Sequence, residues 1–306
     1  MEYAEYVRFL PQRYRDEVMF EPESSWFAWH GNRVHVARAG AEDAPVRVLA
    51  LHGAGGHAGL VWPLLGIGAA EGVSVMAMDL PLYGDTAVAD PGAVRYREWV
   101  EIVGDFVVSE TDSDDRPLVV FGASVGGMLA YEVAARTGRI AHVVATCLPD
   151  PADPAMRRAM VRWAPAGAVP PVLLSGIAAV LGRVRVPIRW LVDMANMSSD
   201  PALSRLCATD PRGGGVRVPL GFLVDFLRFR HTPPEEFVAA PVTLVHPAAD
   251  RWTPPELSVR FLDRISAPTT VTLLDGCGHF PVEEPGVTQL ADALRTLLAE
   301  VGGSRR

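Results

Sequence analysis

Between Val46 and Cys147 the chain repeats one unit: a short, mostly apolar run followed by a longer stretch with helical spacing. The runs are Val46–Leu51, Val73–Met78, Leu118–Gly122 and Ile140–Cys147, and the intervening stretches predict helices near 60–70, 96–108 and 128–136. Strands buried on both faces read as continuous apolar runs, and helical crossovers between them force parallel pairing. A parallel sheet covered on both sides is therefore expected. Ahead of it, Trp26–His30 and Arg33–Ala39 flank Gly31-Asn32 and read as a hairpin. Tyr3, Tyr6, Val7 and Leu10 have the spacing of a short leading helix.

The alternation stops at Pro149-Asp150-Pro151 and resumes at Pro241–His246, with a helix near 255–264, a strand at Thr270–Leu274 and a last helix near 286–301. The tail Gly302–Arg306 is expected to be disordered, and Ser109–Asp115 to be an acidic loop. From 151 to 236 we expect helices and turns without a strand, with helical candidates at Val172–Leu181, Pro187–Met197 and Pro219–Arg230. The predicted organisation is a core of residues 1–150 and 237–306 with a helical cap, 151–236, inserted in it.

Charge and composition remove several function classes. The net charge is −8, and all 28 basic residues are arginine. There is no basic footprint for nucleic acid. With no lysine there is no Walker lysine, Schiff base or Ser–Lys dyad. Cys147, Cys207 and Cys277 are too few and scattered for a disulfide framework or zinc site. No two histidines have zinc-ligand spacing beside a carboxylate, so neither metal nor cofactor is expected. The first twenty residues lack the apolar core of a signal peptide. Trp163–Gly182 is uncharged, but its prolines and glycines break it, so it reads as a buried or pocket-facing segment rather than a span. We expect a cytoplasmic protein without a stable membrane anchor, and a homo-oligomer is left open.

The chemistry gathers at Gly122-Ala123-Ser124-Val125-Gly126-Gly127, where an apolar strand turns sharply into a helix. Gly122 and Gly126 let strand and helix approach, leaving the Ser124 hydroxyl exposed at the apex. Serine needs an oriented base to act as a nucleophile. Asp250 follows the strand ending at His246, and His279 follows the last strand. Strand C-termini of a parallel sheet open on one edge, so Ser124, Asp250 and His279 meet there in the order Ser, Asp, His. Asp150 also follows a strand and is a second candidate acid. After an earlier strand, His52-Gly53-Ala54-Gly55-Gly56 can turn a backbone N–H, that of Ala54, toward a developing oxyanion, with Val125 as the second donor. His52 is read as bracing that loop, His57 as rimming the pocket and His246 as packed. His30, His35, His142 and His231 default to surface or core. Asp225 and Asp275 read as solvated, and Asp85 and Glu283 as surface or loop-stabilising groups.

With elbow, His-Gly loop and acid–base pair in register, the chain resembles the α/β-hydrolases. Within them it is similar to the monoacylglycerol lipase and lysophospholipase-like group through Met197-Ser198-Ser199-Asp200-Pro201 and Thr209-Asp210-Pro211. It departs from that group at Ala123, where histidine is frequent, and at Asp79–Asp85, which only approximates the usual glycine-rich turn. The implied activity is serine hydrolysis of a carboxylic ester, and the Leu-, Val-, Phe- and Met-rich insertion favours a small substrate of mid-to-short acyl length and modest polarity. The same triad would serve a C–C hydrolase, an amidase, an aminopeptidase (using Asp193, Asp225, Glu235 or Glu236 for the amine) or a lactonase. A non-catalytic ligand-binding protein on the same fold is the reading from another class.

Overall fold

The computed structural model describes residues 3–18, 20–161, 176 and 178–303. Its centre is an eight-stranded sheet in the order β1-β2-β4-β3-β5-β6-β9-β10. The strands are β1 (Glu23–Trp29), β2 (Asn32–Ala39), β3 (Arg47–Leu51), β4 (Ser74–Met78), β5 (Leu118–Gly122), β6 (His142–Ala145), β9 (Val242–Pro247) and β10 (Thr269–Leu274). From β4 to β10 all neighbours are parallel, and the β1–β2 hairpin joins antiparallel at one edge. β3, β5 and β9 are buried at every residue, as continuous apolar runs require. The edge strand β10 is largely exposed.

Helices flank the sheet. After α1 (Ala4–Val7) and α2 (Gln12–Arg15) come α3 (Ala58–Ala70), α4 (Tyr96–Ser113) and α5 (Val125–Thr137). Next are α6 (Pro154–Met160), α7 (Pro201–Thr209), α8 (Leu220–Arg228), α9 (Pro255–Leu262) and α10 (Gly286–Gly303). α3 packs with α10, and α4 with α5.

Several local expectations need correction. The hairpin turns at His30 and Gly31, both at positive φ, and Asn32 already belongs to β2. α4 continues through Ser109 to Ser113, where a loop was expected; Thr111 and Ser113 satisfy themselves by bonding back to carbonyls one turn earlier. The segment between β6 and β9 does hold strands. β7 (Arg185–Pro187) and β8 (Arg217–Pro219) form a two-stranded antiparallel ribbon, each ending in a proline at a sheet edge, where the missing N–H costs little. The helix expected at Pro187–Met197 is instead two short 3₁₀ turns, Ile188–Trp190 and Met194–Asn196. α7 was not anticipated, whereas α8 was. Most of Val172–Leu181 and of Trp163–Gly182 lies outside the described residues. At the C-terminus Gly302 and Gly303 extend α10 rather than fray. Among the described residues no helix is long and apolar enough to cross a membrane.

Candidate active site

The glycines around Ser124 show why the elbow has this composition. A Cβ on Gly122 would lie 2.2 Å from the Gly126 carbonyl oxygen, one on Gly126 2.2 Å from that of Leu51, and one on Gly127 2.1 Å from that of Cys147. Nothing larger than hydrogen fits, so strand, neighbouring strand ends and helix converge there. Ser124 itself sits at φ 54° and ψ −123°, a backbone conformation costly for a residue with a side chain. Its N–H donates to the Thr146 hydroxyl at 3.0 Å, which helps hold the turn.

His279 and Asp250 are brought together as expected. The ring Nδ1 lies 2.7 Å from Asp250 Oδ2, and both side chains are buried. Asp250 is held by three more hydrogen bonds: its Oδ1 accepts the N–H groups of Trp252 (2.8 Å) and Thr253 (3.1 Å), and its Oδ2 accepts the Thr253 hydroxyl (2.8 Å). Burial pushes the carboxyl up, but the facing imidazole and these donors outweigh it and hold it down at about 2. An ionised Asp250 only accepts, so Nδ1 carries the proton between them and Nε2 is the ring nitrogen left to exchange one. That Nε2 is buried and bonded to no described residue. Trp252 lies against the ring at 4.5 Å between centroids.

Ser124 and His279 line one small cavity of about 30 Å³, together with Gly53, Ala54, Thr146 and Met197. Gly53 reaches the serine directly: a Cβ there would sit 2.8 Å from the Ser124 Cβ. The N–H groups of Ala54 and Val125 donate to no described backbone carbonyl. His52 braces the loop as expected, its Nδ1 2.8 Å from the Gly53 carbonyl oxygen and its Nε2 accepting the Leu80 N–H at 3.0 Å. Full burial lowers its pKa to about 4, so the ring is neutral.

Asp150 is placed elsewhere. It accepts the Ala152 N–H at 2.8 Å, and burial raises its pKa. His57 is no rim residue. It caps α3 by accepting the Gly59 N–H, and its Nε2 meets Asp210 Oδ2 at 2.8 Å. The same oxygen accepts the Tyr6 hydroxyl at 2.6 Å. Burial raises the Asp210 carboxyl, but His57 and Tyr6 overcome it and hold it well below the carboxylate range. His35 is likewise partnered, with Asp79 at 2.8 Å and Ser24 at 3.0 Å. His35, Asp79 and Asp85 stand close enough to surround a cation. The ring nitrogens of His35 and the carboxylate oxygens of Asp79 are already engaged, the latter also with the N–H groups of Ala58 and Asp85.

Asp225, expected to be solvated, is buried and clamped by the Arg97 N–H and guanidinium. Glu235 pairs with Arg264, and Asp193 accepts from the Asn196 amide. Glu283 accepts the Ser198 hydroxyl (2.5 Å) and the Ser199 N–H (2.9 Å), and the Phe280 N–H donates to the Met197 carbonyl at 2.7 Å. The Met197–Asp200 wording thus fastens the insertion to the His279 loop. Thr253 and Thr146 escaped the sequence reading. The Asp-x-x-Thr spacing of 250–253, which suits a side-chain-closed turn, is the signal that could have found Thr253.

Fold and site together define a hydrolase-type α/β protein in which Ser124 borders one cavity with His279, the partner of Asp250. The profile of the alpha/beta hydrolase family matches residues 48–293, and the chain belongs to that family. Among solved structures it is similar to a soluble variant of monoglyceride lipase from Saccharomyces cerevisiae bound to a substrate analog, with a TM-score of 0.75, 16% identity, and 92% and 96% of the two chains covered. It is also similar to the monoacylglycerol lipase of Paleococcus ferrophilus, with TM-score 0.68, 23% identity, and 88% and 99% covered. A third is a thermostable carboxyl esterase from Bacillus coagulans in complex with glycerol, with TM-score 0.68, 18% identity, and 93% and 100% covered. A search of curated proteins finds no significant match.

Proposed function

We propose that the protein is a serine hydrolase that cleaves a small carboxylic ester through an acyl-enzyme on Ser124. The observation that carries this reading is the buried Asp250–His279 pair, whose free Nε2 belongs to a residue sharing a cavity with Ser124. In the first half-reaction His279 Nε2 takes the Ser124 proton as Oγ attacks the ester carbonyl. The N–H groups of Ala54 and Val125 receive the oxyanion. The imidazolium then protonates the leaving alcohol. In the second half, water attacks the acyl carbon with Nε2 again as base, and Ser124 leaves. Asp250 fixes the tautomer and stabilises the imidazolium throughout.

Residues 151–236 act in this proposal as a cap, since Met197 lines the catalytic cavity and Met194 seats on Gly55 of the oxyanion loop. The solved structures of similar fold whose names denote glyceride lipases and an esterase support an ester over the other bonds this triad can cleave. The aminopeptidase reading loses support, because Asp225 is committed to Arg97 and Glu235 to Arg264. Three free, buried cysteines fit a reducing, cytoplasmic setting.

A fluorophosphonate probe tests the reading: the folded protein should be labelled at Ser124 and lose ester turnover in proportion. Absence of an adduct would favour a binding protein instead.

A further inference from the structure

A backbone N–H stabilises an oxyanion only if its direction is fixed before the charge appears. Ala54 has glycine on both sides, the residue with the most backbone freedom, so its direction has to be set from outside the loop. On one flank the support is already described: Gly53 lies against Ser124, and its carbonyl oxygen meets His52 Nδ1 and accepts the Gly56 N–H at 3.1 Å. On the other flank it comes from the insertion. A Cβ on Gly55 would collide with the Met194 methyl, and one on Gly213 would stand 2.6 Å from the Gly55 carbonyl oxygen.

Asp210 organises that second flank. It ends α7, and its backbone carbonyl accepts the N–H groups of Gly213 (3.1 Å) and Gly215 (2.7 Å). Its Oδ1 accepts the Arg212 N–H at 2.8 Å. These bonds close the turn 210–215, which is also tied to the loop after β4 by the Gly84 N–H donating to the Arg212 carbonyl at 3.0 Å. The other carboxylate oxygen reaches out of the turn. It accepts the Tyr6 hydroxyl of α1 and meets Nε2 of His57, the residue directly after Gly56 and the cap of α3. One buried carboxylate thus joins the insertion, the N-terminal helix and the exit of the oxyanion loop. Hydrogen bonds to a charged group are the strong ones, and burial strengthens them further.

We propose that Asp210 is a positioning residue for the ester hydrolysis. Through the 210–215 turn and His57 it fixes the Gly53–Gly56 loop so that the Ala54 N–H is aimed at the oxyanion, and Tyr6 holds Asp210 in that place. The inference rests on the ester-hydrolase reading and deepens it: Tyr6, His57, Asp210 and Gly213 serve transition-state stabilisation without touching the substrate.

The test compares p-nitrophenyl butyrate with p-nitrophenyl thionobutyrate, in which sulfur replaces the carbonyl oxygen. Amide N–H groups stabilise a developing oxygen anion better than the larger, softer sulfur anion. The oxo-to-thiono ratio of kcat/KM therefore reads the aim of the donors and not the amount of folded enzyme. Gly213 is not at positive φ, so alanine is allowed there and its methyl presses on the Gly55 carbonyl. Gly213→Ala should lower the ratio about tenfold, a part of the roughly 10²–10³ that outright loss of a donor costs. KM should stay within about twofold of the parent, because these donors act in the transition state. Tyr6→Phe removes one hydrogen bond to the carboxylate and keeps the ring. It should lower the ratio about threefold, and it decides the matter should Gly213→Ala not fold. Asp225→Asn is the control: it loosens the insertion at the Arg97 clamp, which shares no residue with the loop contacts, and should keep the parental ratio. If the folded Gly213→Ala and Tyr6→Phe proteins keep the parental ratio, or Asp225→Asn shifts it as far as they do, the positioning role is overturned and the ester reading stands. If the parent cleaves no ester, the ester reading fails and the positioning role falls with it.

Discussion

Gly53 and Ser124 are in contact across the sheet edge: a methyl group on the glycine would stand 2.8 Å from the serine Cβ and 3.4 Å from its Oγ. The loop that carries the expected oxyanion donor is therefore seated directly on the nucleophile. Gly53→Ala should fold yet lower kcat/KM by about 10²-fold, comparable with loss of one oxyanion donor. Circular dichroism alongside ester kinetics checks it, and near-parental turnover would show that the loop does not set the geometry.

The two candidate acids differ in wiring. Asp250 meets His279, whereas Asp150 closes its own turn. Asp250→Asn is expected to cost about 10⁴-fold in kcat, while Asp150→Asn should remain close to the parent. Equal sensitivity of both would move the acid role.

Thr253 is a positioning residue in the same network, donating to Asp250 Oδ2 and lying 3.3 Å from His279 Nδ1. Thr253→Val removes one hydrogen bond to a charged group, and should lower kcat about tenfold with little change in KM. Thr253→Ser should restore most of the rate, which a purely packing role would not require.

Asp210 holds Tyr6 and His57 through one oxygen, all three side chains buried. Asp210→Ala strands both donors and should destabilise the fold by about 2–4 kcal/mol. The urea midpoint measures it, and a loss below 1 kcal/mol would show the network to be slack.

Acid should weaken the fold well above the carboxylate range. Burial lowers His52 from 6.5 to about 4 and His231 to about 3, and it lowers His142 and His246 as well. Between the unfolded value and these native values the unfolded chain binds protons that the native state refuses, so stability falls as pH drops. Going from pH 7.5 to 5 should remove on the order of 2 kcal/mol for each of His52 and His231. Glu98 and Asp150, raised by burial, act in the opposite sense nearer the carboxylate range. The buried depressed carboxylates, Asp79, Asp210 and Asp250, matter only as pH falls below about 4. Urea midpoints at pH 7.5 and 5.0 decide it, and equal values would contradict the assignment of neutral buried rings.

The core was legible because its signals are local. Apolar runs at β3, β5 and β9 and the glycines of the elbow follow from sterics within a few residues, and parallel topology then carries Ser124, Asp250 and His279 to one edge. The insertion resisted reading because long-range partners hold it. The β7–β8 ribbon is only Arg-Val-Pro twice, too short for a period of two to register. Asp225 looks solvated until Arg97, 128 residues earlier, is folded onto it. His57 and Asp210 are separated by 153 residues, and neither has a neighbour in sequence that announces the other.

The fastening of Met197, Ser198 and Ser199 to Phe280 and Glu283 has a consequence for traffic through the molecule. The strap Met197–Ser199 is tied to residues within four positions of His279. Were this strap to lift, it would tug on the imidazole's own loop. Admission and readiness would then alternate rather than coincide, and idle attack by bulk water would be discouraged whenever the door stands ajar.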